Sequence, residues 1–344
     1  MLNTKFWDQF YRWNDLTVSP IPGYTVLLMV PGDLPIFLKI ALEMCSLQAS
    51  DHLVETLVIP DKLTAGLPEL FESWAEEYVI SPIRLVPLTP LDQFLAQKLN
   101  YPSLTHWFQI FRAAIETRTT HAVLHDVDLF MFDSNFLKLH YETSVSRHLA
   151  CLGVSPMWDG WFSEQRIHHV VPTWEMMFEL DWLRSFEPWQ HQAHRNMIDG
   201  KWHGFDTTLW TQCRTAPERV GRHEQDLRFI HFGQVVSSYR LFQQSPNHFE
   251  DERFRLLLIR LLIDAYDPSG WPCEVPSLND LTKGLIDGSK RVTYLEEPTR
   301  QYYPTFRYQL HQLIKSGLLG DEKTSVLENG AASFDQAFGW MLPG

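Results

Sequence analysis

The sequence predicts an α/β fold, a Rossmann-like sheet with helices on both faces followed by a C-terminal helical extension. Three observations carry that expectation. Apolar runs of the length of buried strands alternate with segments of helical periodicity four times in the first third of the chain. Pro, Gly and Asp stand where the first two runs end, as turns require. Beyond about Glu250 the apolar spacing is helical only. Such alternation gives parallel strands joined by right-handed crossovers.

The elements follow in order. Tyr24 to Val30 reads as a fully buried strand, closed by Pro31-Gly32-Asp33, and a helical pattern runs from Pro35 to Ser46. Val54 to Ile59 repeats the theme and stops at Pro60-Asp61. A helix over Leu67 to Glu77 leads to the strand Ile83 to Leu88. Trp107 to Ile115 has helical periodicity and runs into a fourth strand ending at His125. The middle, from about Ser144 to Phe242, concentrates tryptophan and histidine; its best strands are Leu149 to Val154 and Arg228 to Phe232. Phe254 to Ile263 and Phe306 to Leu318 are the clearest helices of the last part.

Composition removes several classes. With 344 residues, 44% apolar and 21% charged, the chain can bury a large core, which excludes disorder. A net charge of -13 without a Lys/Arg cluster excludes a nucleic acid polymer as the main ligand. Cys45, Cys151, Cys213 and Cys273 are widely spaced, which suggests neither a thiolate zinc site nor a disulfide framework, and a reducing, cytoplasmic setting is expected. No run is apolar enough for a transmembrane segment, and the aromatic amino terminus lacks the apolar core of a signal peptide. Trp7, Phe10 and Trp13 fit either the core, which composition favours, or peripheral contact with the inner face of a membrane.

Thr120 to Phe132 is the stretch with the most chemistry, an apolar run broken by Asp126-Val127-Asp128. Side chains two apart on a strand share a face, so both carboxylates point one way at the end of a buried strand. A hard divalent cation bound to phosphate oxygens relieves such a pair; a solvated strand-end pair needs no function. Ligands of parallel sheets lie beyond the strands' carboxyl ends, where Pro31, Asp33, Asp61 and Asp126 all fall. Two later segments stand out, Lys201-Trp202-His203-Gly204-Phe205-Asp206-Thr207-Thr208-Leu209-Trp210 and Phe229-Ile230-His231-Phe232-Gly233. Asp206 also suits the N-cap of a helix beginning at Thr207, and His231 suits a satisfied core histidine. A Gly-x-x-x-x-Gly-Lys-Ser/Thr loop, a Gly-x-Ser-x-Gly elbow and a His-Glu-x-x-His helix are all missing.

In the order and spacing of these motifs, over about residues 24 to 240, the chain resembles the metal-dependent glycosyltransferases of the GT-A fold. The Trp202 to Asp206 segment looks like the Trp-Gly-x-Glu-Asp segment of inverting members, β-1,4-galactosyltransferases included, with Phe205 where the glutamate would stand. Phe229 to Gly233 resembles the late segment that donates a histidine to the metal. The lysine that follows His-x-Gly in some retaining transferases has no counterpart at Gln234 or Val235.

The resemblance implies a GT-A mixed sheet, with a transferase domain over 1–245 (donor half about 20–135, acceptor half about 136–245) and a helical extension over 246–344. It implies that Asp128 and His231 hold the divalent metal, Mn2+ or Mg2+, an imidazole beside carboxylates suiting manganese better than calcium. His125 and Asp126 would meet the sugar nucleotide, with Pro31, Asp33, Asp61 and Arg112 near its base, ribose or phosphates. Asp206 would be the general base, and Trp202 and Trp158 would stack on the acceptor. The expected partners are a nucleotide-diphosphate sugar donor, a UDP-sugar first, and a carbohydrate or glycoconjugate acceptor. Three other readings stay open: a retaining transferase, a sugar-phosphate nucleotidyltransferase whose basic Gly-rich loop is missing after the first strand, and a non-catalytic carbohydrate- or nucleotide-binding protein.

Overall fold

A computed structural model of the chain describes residues 4–13, 19–157, 160–165, 167–198, 201–224, 227–245, 247–267, 274–283 and 291–338. It divides into two compact units, one of residues 1–127 with 133–228 and one of 128–132 with 229–344.

The first unit is built on a seven-stranded sheet. Its strands are β1 (Ile21–Val30), β2 (Leu53–Pro60), β3 (Ile83–Leu85), β4 (Thr119–His125), β6 (Cys151–Gly153), β7 (Met176–Glu179) and β10 (Val220–Arg222), in spatial order β10-β6-β7-β4-β1-β2-β3. β1 pairs in parallel with β2 and β4, and β2 with β3, which makes the parallel half that the alternating pattern predicts. β7 runs antiparallel to both β4 and β6, so the sheet is mixed. β10 pairs in parallel with β6, so β7 is the one reversed strand, and it borders β4, the strand that carries His125.

Helices cover both faces. Odd positions of β1 and β2, Leu27, Leu57 and Ile59, share a core with Trp107, Phe108 and Phe111 of α5 (Pro102–Glu116). Even positions point the other way, where Tyr24 meets Tyr141 of α6 (Phe136–Ser146). α2 (Ile36–Ser46) and α3 (Leu67–Glu77) occupy the crossovers close to where periodicity sets them. The N-terminal α1 (Thr4–Phe10) buries Trp7 against Trp107, with ring centroids 5.4 Å apart, and the Trp13 indole donates to the Phe186 carbonyl at 2.7 Å. These two tryptophans are core residues, and Phe10 alone of the three is exposed.

A helix not anticipated from the sequence, α4 (Pro90–Leu99), starts at a capping box in which Thr89 and Asp92 satisfy each other's backbone amides. Asp92 is fully buried and accepts Arg112 Nε at 2.6 Å, a second Arg112 nitrogen at 3.0 Å and the Tyr11 hydroxyl at 2.8 Å. Burial alone would raise the Asp92 carboxyl; hydrogen bonds from Arg112 and Thr89 and the guanidinium charge hold it below its usual value. Arg112, expected near the phosphates, has its planar fork spanned by this carboxylate.

The second unit opens with β5 (Leu129–Met131), antiparallel to β11 (Phe229–His231), and contains the short parallel pair β12 (His248–Glu250) and β13 (Arg291–Thr293). Its helices are α10 (Val235–Gln244), α11 (Arg255–Tyr266), α12 (Leu278–Lys283), α13 (Glu296–Lys315) and α14 (Asp321–Phe338). α11 is apolar nearly all round and buried accordingly. Gly330 of α14 lets it approach, since a Cβ there would lie 2.3 Å from a Leu261 methyl. Buried Asp251 accepts the Arg255, Leu256 and Leu257 amides at 2.7, 3.1 and 3.2 Å, capping the helix, while desolvation outweighs those bonds and pushes its carboxyl up to about 6. Among the described residues no helix is long and apolar enough to cross a membrane. Cys45, Cys151 and Cys213 are free thiols, and Cys273 lies outside the described residues.

Asp92→Ala strands a largely buried guanidinium and is expected to lower unfolding free energy by about 3 to 5 kcal/mol, read by urea denaturation. A loss near that of an exposed ion pair, below about 1 kcal/mol, would contradict the burial argument.

Candidate functional site

Asp128 and His231 come together through a strand ladder. β5 and β11 pair Leu129 with His231, and the Phe232 amide extends the ladder to the Asp128 carbonyl at 3.3 Å. That register sets the Asp128 carboxylate 3.3 Å from His231 Nε2, with side-chain exposures of 6% and 14%. Asp126 lies two residues further back along the chain, and one ligand atom from each of Asp126, Asp128 and His231 lies within 4.8 Å of the others. Two carboxylates and an imidazole at this separation fit a divalent transition ion such as Mn2+, whose charge would compensate the burial of Asp128.

The histidine's strand is held by groups that no motif signals. Arg255, from the first turn of α11, donates to the Gly233 carbonyl at 2.6 Å and also to the carbonyl of Phe232. Burial lowers its guanidinium, while the charges of Asp128 and Asp251 oppose that shift, so Arg255 supplies part of the countercharge Asp128 feels. Gln309 of α13 donates to the His231 carbonyl at 3.1 Å. The chain then leaves β11 through two left-handed residues, Gly233 (φ +66°) and Gln234 (φ +61°), to start α10. Glycine meets that requirement without strain at the first of them.

In the first unit, the carboxyl ends of β1 and β2 gather three of the expected residues. The Gly32 amide, between Pro31 and Asp33, donates to Asp61 Oδ1 at 2.8 Å, and the Asp61 amide donates to the Val30 carbonyl at 3.0 Å. Lys62, not singled out from the sequence, pairs with Asp33 at 2.7 Å, and the Thr64 hydroxyl donates to the Gly32 carbonyl. A Cβ at Gly32 would lie 1.8 Å from the Lys62 carbonyl oxygen, so the two strand ends interlock only with glycine there. Buried Gln109 of α5 donates to the Ile59 carbonyl at 2.6 Å and fixes the end of β2 from below. His125 ends β4, fully enclosed against Glu175.

The Trp202 to Asp206 segment lies in and just after a hairpin of β8 (His194–Ile198) and β9 (Lys201–Phe205). Trp202 is 65% exposed, large for a tryptophan and consistent with a stacking surface. The hairpin is anchored by Phe205, buried with Phe162, Val170 and Leu209, and by His203 tilted against Trp161 with ring centroids 4.3 Å apart. Asp206 is exposed, and its Oδ1 accepts the Thr207 amide at 2.7 Å. α9 (Leu209–Cys213) begins two residues later than the capping alternative requires, with Thr208 (φ +66°) at its N-cap. Buried His191 steadies this stretch: its carbonyl accepts the Thr208 amide at 2.9 Å, its Nδ1 accepts the Thr211 hydroxyl at 2.9 Å and its Nε2 donates to the Leu183 carbonyl at 2.8 Å. Desolvation pushes that imidazole down to about 4, so it stays neutral. Trp158 lies outside the described residues.

No protein-family model matches the chain, and no curated protein does. Among solved structures it is similar to the mannosyltransferase PcManGT from Pyrobaculum calidifontis in complex with GDP-Man and Mn2+, at 15% identity and a TM-score of 0.43, covering 98% of this chain and 88% of that one. It is also similar to S. aureus TarS 1-349, at 10% identity and a TM-score of 0.40, covering 93% and 90%. Glucosyl-3-phosphoglycerate synthase from Mycobacterium tuberculosis matches over 47% of this chain and 58% of its own, at 11% identity and a TM-score of 0.33.

Manganese should stabilise the wild type by about 2.7 kcal/mol when free metal is about a hundredfold above its Kd, seen as a rise in Tm. Asp128→Asn and His231→Ala should lose that rise. An equal response in Asp128→Asn would place the ion elsewhere.

Proposed function

We propose that the chain is a divalent-metal-dependent glycosyltransferase that moves a sugar from a nucleotide-diphosphate donor, a UDP-sugar first, to a hydroxyl of a carbohydrate or glycoconjugate, with inversion. One observation carries the reading: a buried aspartate and a histidine 3.3 Å apart, the aspartate three residues beyond the end of β4, with a second aspartate two residues before it. Hard carboxylate oxygens with one imidazole are the donor set for an ion that also binds phosphate oxygens. Asp128 and His231 would hold such an ion, which when bound would supply charge neutralisation for a departing diphosphate.

The chain's own residues supply the rest. Asp126 takes hydroxyls of the ribose or the sugar as a hydrogen-bond acceptor. Pro31, Asp33 and Asp61, linked through Gly32 and Lys62, form a rigid rim for the nucleoside, because carboxylates accept from base amines and ribose hydroxyls. The Thr207 amide holds one oxygen of Asp206, which orients the carboxylate as a general base. In the transfer the acceptor oxygen bonds to the anomeric carbon as the carbon–oxygen bond to the diphosphate breaks, and the hydroxyl proton passes to Asp206. Attack from the face opposite the leaving group inverts the anomeric centre. Trp202 offers an exposed ring to the apolar face of the acceptor sugar.

Asp206→Asn tests the base. That variant should bind donor as the wild type does and lose about 100-fold or more in transfer rate, the scale of general-base catalysis. The anomeric configuration of the wild-type product, read by NMR coupling constants, should be opposite to the donor's. Unchanged turnover in Asp206→Asn, or a retained configuration, would remove Asp206 as the base.

A further inference from the structure

The residue that faces His125 was not signalled by any motif. The antiparallel ladder of β4 and β7 pairs His121 with Glu179, Ala122 with Phe178, Val123 with Met177 and Leu124 with Met176. One step further, the same register sets His125 opposite Glu175. Their side chains close that step: His125 Nδ1 donates to Glu175 Oε2 at 2.6 Å, and neither side chain has any solvent exposure.

Three features make this pair unlike an ordinary core contact. The Glu175 carboxylate is fully enclosed at the end of the β4–β7 ladder, just before β7 begins. Glu175 holds φ at +50°, a left-handed conformation strained for a residue with a long side chain. His125 Nε2 and Glu175 Oε1 are both buried without a hydrogen-bond partner. A purely structural contact at this position would be met by two apolar side chains, as it is at Leu124 and Met176.

The location explains what the pair does. β4 is held on one side by its parallel neighbour β1, where Leu28 pairs with His125, and on the other by β7, the one reversed strand of the sheet. The next residue after His125 is Asp126. Beyond Leu124 and Met176 the β4–β7 ladder ends, so the His125–Glu175 bond fixes the direction in which the chain leaves the strand.

We propose that Glu175 is a positioning residue for the metal site: by holding His125 it fixes the carboxyl end of β4 and hence the carboxylate of Asp126. This rests on the metal reading given above. The hydrogen bond does the positioning, so an uncharged acceptor of the same length should serve as well.

Binding of Mn2+ to the free protein, measured by the loss of the EPR signal of aqueous Mn2+, separates these statements without any substrate. Glu175→Leu should weaken Mn2+ binding about tenfold or more, the size of effects from partners that orient metal ligands. Glu175→Asp, too short to reach Nδ1, should weaken it similarly, and it keeps the test intact if the leucine variant does not fold. Glu175→Gln, with an amide oxygen in place, should stay within about threefold of wild type, since the acceptor is kept. Leu95→Ala, a core change in α4, should lower Tm and leave Mn2+ affinity unchanged. Wild-type affinity in both Glu175→Leu and Glu175→Asp, or an equal loss in Leu95→Ala, would overturn the positioning role alone. A wild type that binds no Mn2+ would instead overturn the metal reading beneath it.

Discussion

Everything distinctive here follows from burying the carboxylate of Asp128. A charged group with 6% side-chain exposure is expensive to keep, and two arrangements of this chain answer that cost. The β5–β11 register brings an imidazole to 3.3 Å. Arg255 contributes charge from the start of α11 while tying down the two carbonyls that follow the imidazole. The second carboxylate, at Asp126, adds negative charge close by, which a bound cation would offset.

The C-terminal helices therefore act on the site as well as on stability. Arg255 and Gln309 come from α11 and α13, and both bond to backbone of the segment that carries His231. Asp251 holds the first turn of α11, from which Arg255 projects. A run of contacts from a helix cap to the strand of His231 thus lies wholly within one compact unit. In the other unit the sheet does the equivalent work, with Gln109 and Gly32 fixing the ends of β1 and β2.

What could be read from the sequence was local. Apolar runs gave the parallel strands β1, β2 and β4, because strands buried on both faces leave an uninterrupted signal. Asp126-Val127-Asp128 was legible as a carboxylate pair, although it lies in the turn between β4 and β5 instead of on a strand face, and His231 by its place in a short apolar strand. Glu175 was not, because it meets His125 across 50 residues and only the antiparallel register relates them. Arg255 looked like one charge in an apolar helix, and its bonds go to backbone, which has no sequence signature. The partner of Arg112 was missed for a different reason: Asp92 sits in a helix that the sequence reading passed over, although Thr89-Pro90-Leu91-Asp92 carries a capping signal.

The central claim is that Asp128 and His231 share one divalent ion. Anomalous scattering from crystals grown with Mn2+ and a nucleoside diphosphate tests it most directly. The account predicts a single strong peak bonded to a carboxylate oxygen of Asp128 and to Nε2 of His231, with diphosphate oxygens completing the coordination. An ordered diphosphate with no manganese peak at those two side chains, or a peak bonded to other residues, would contradict it.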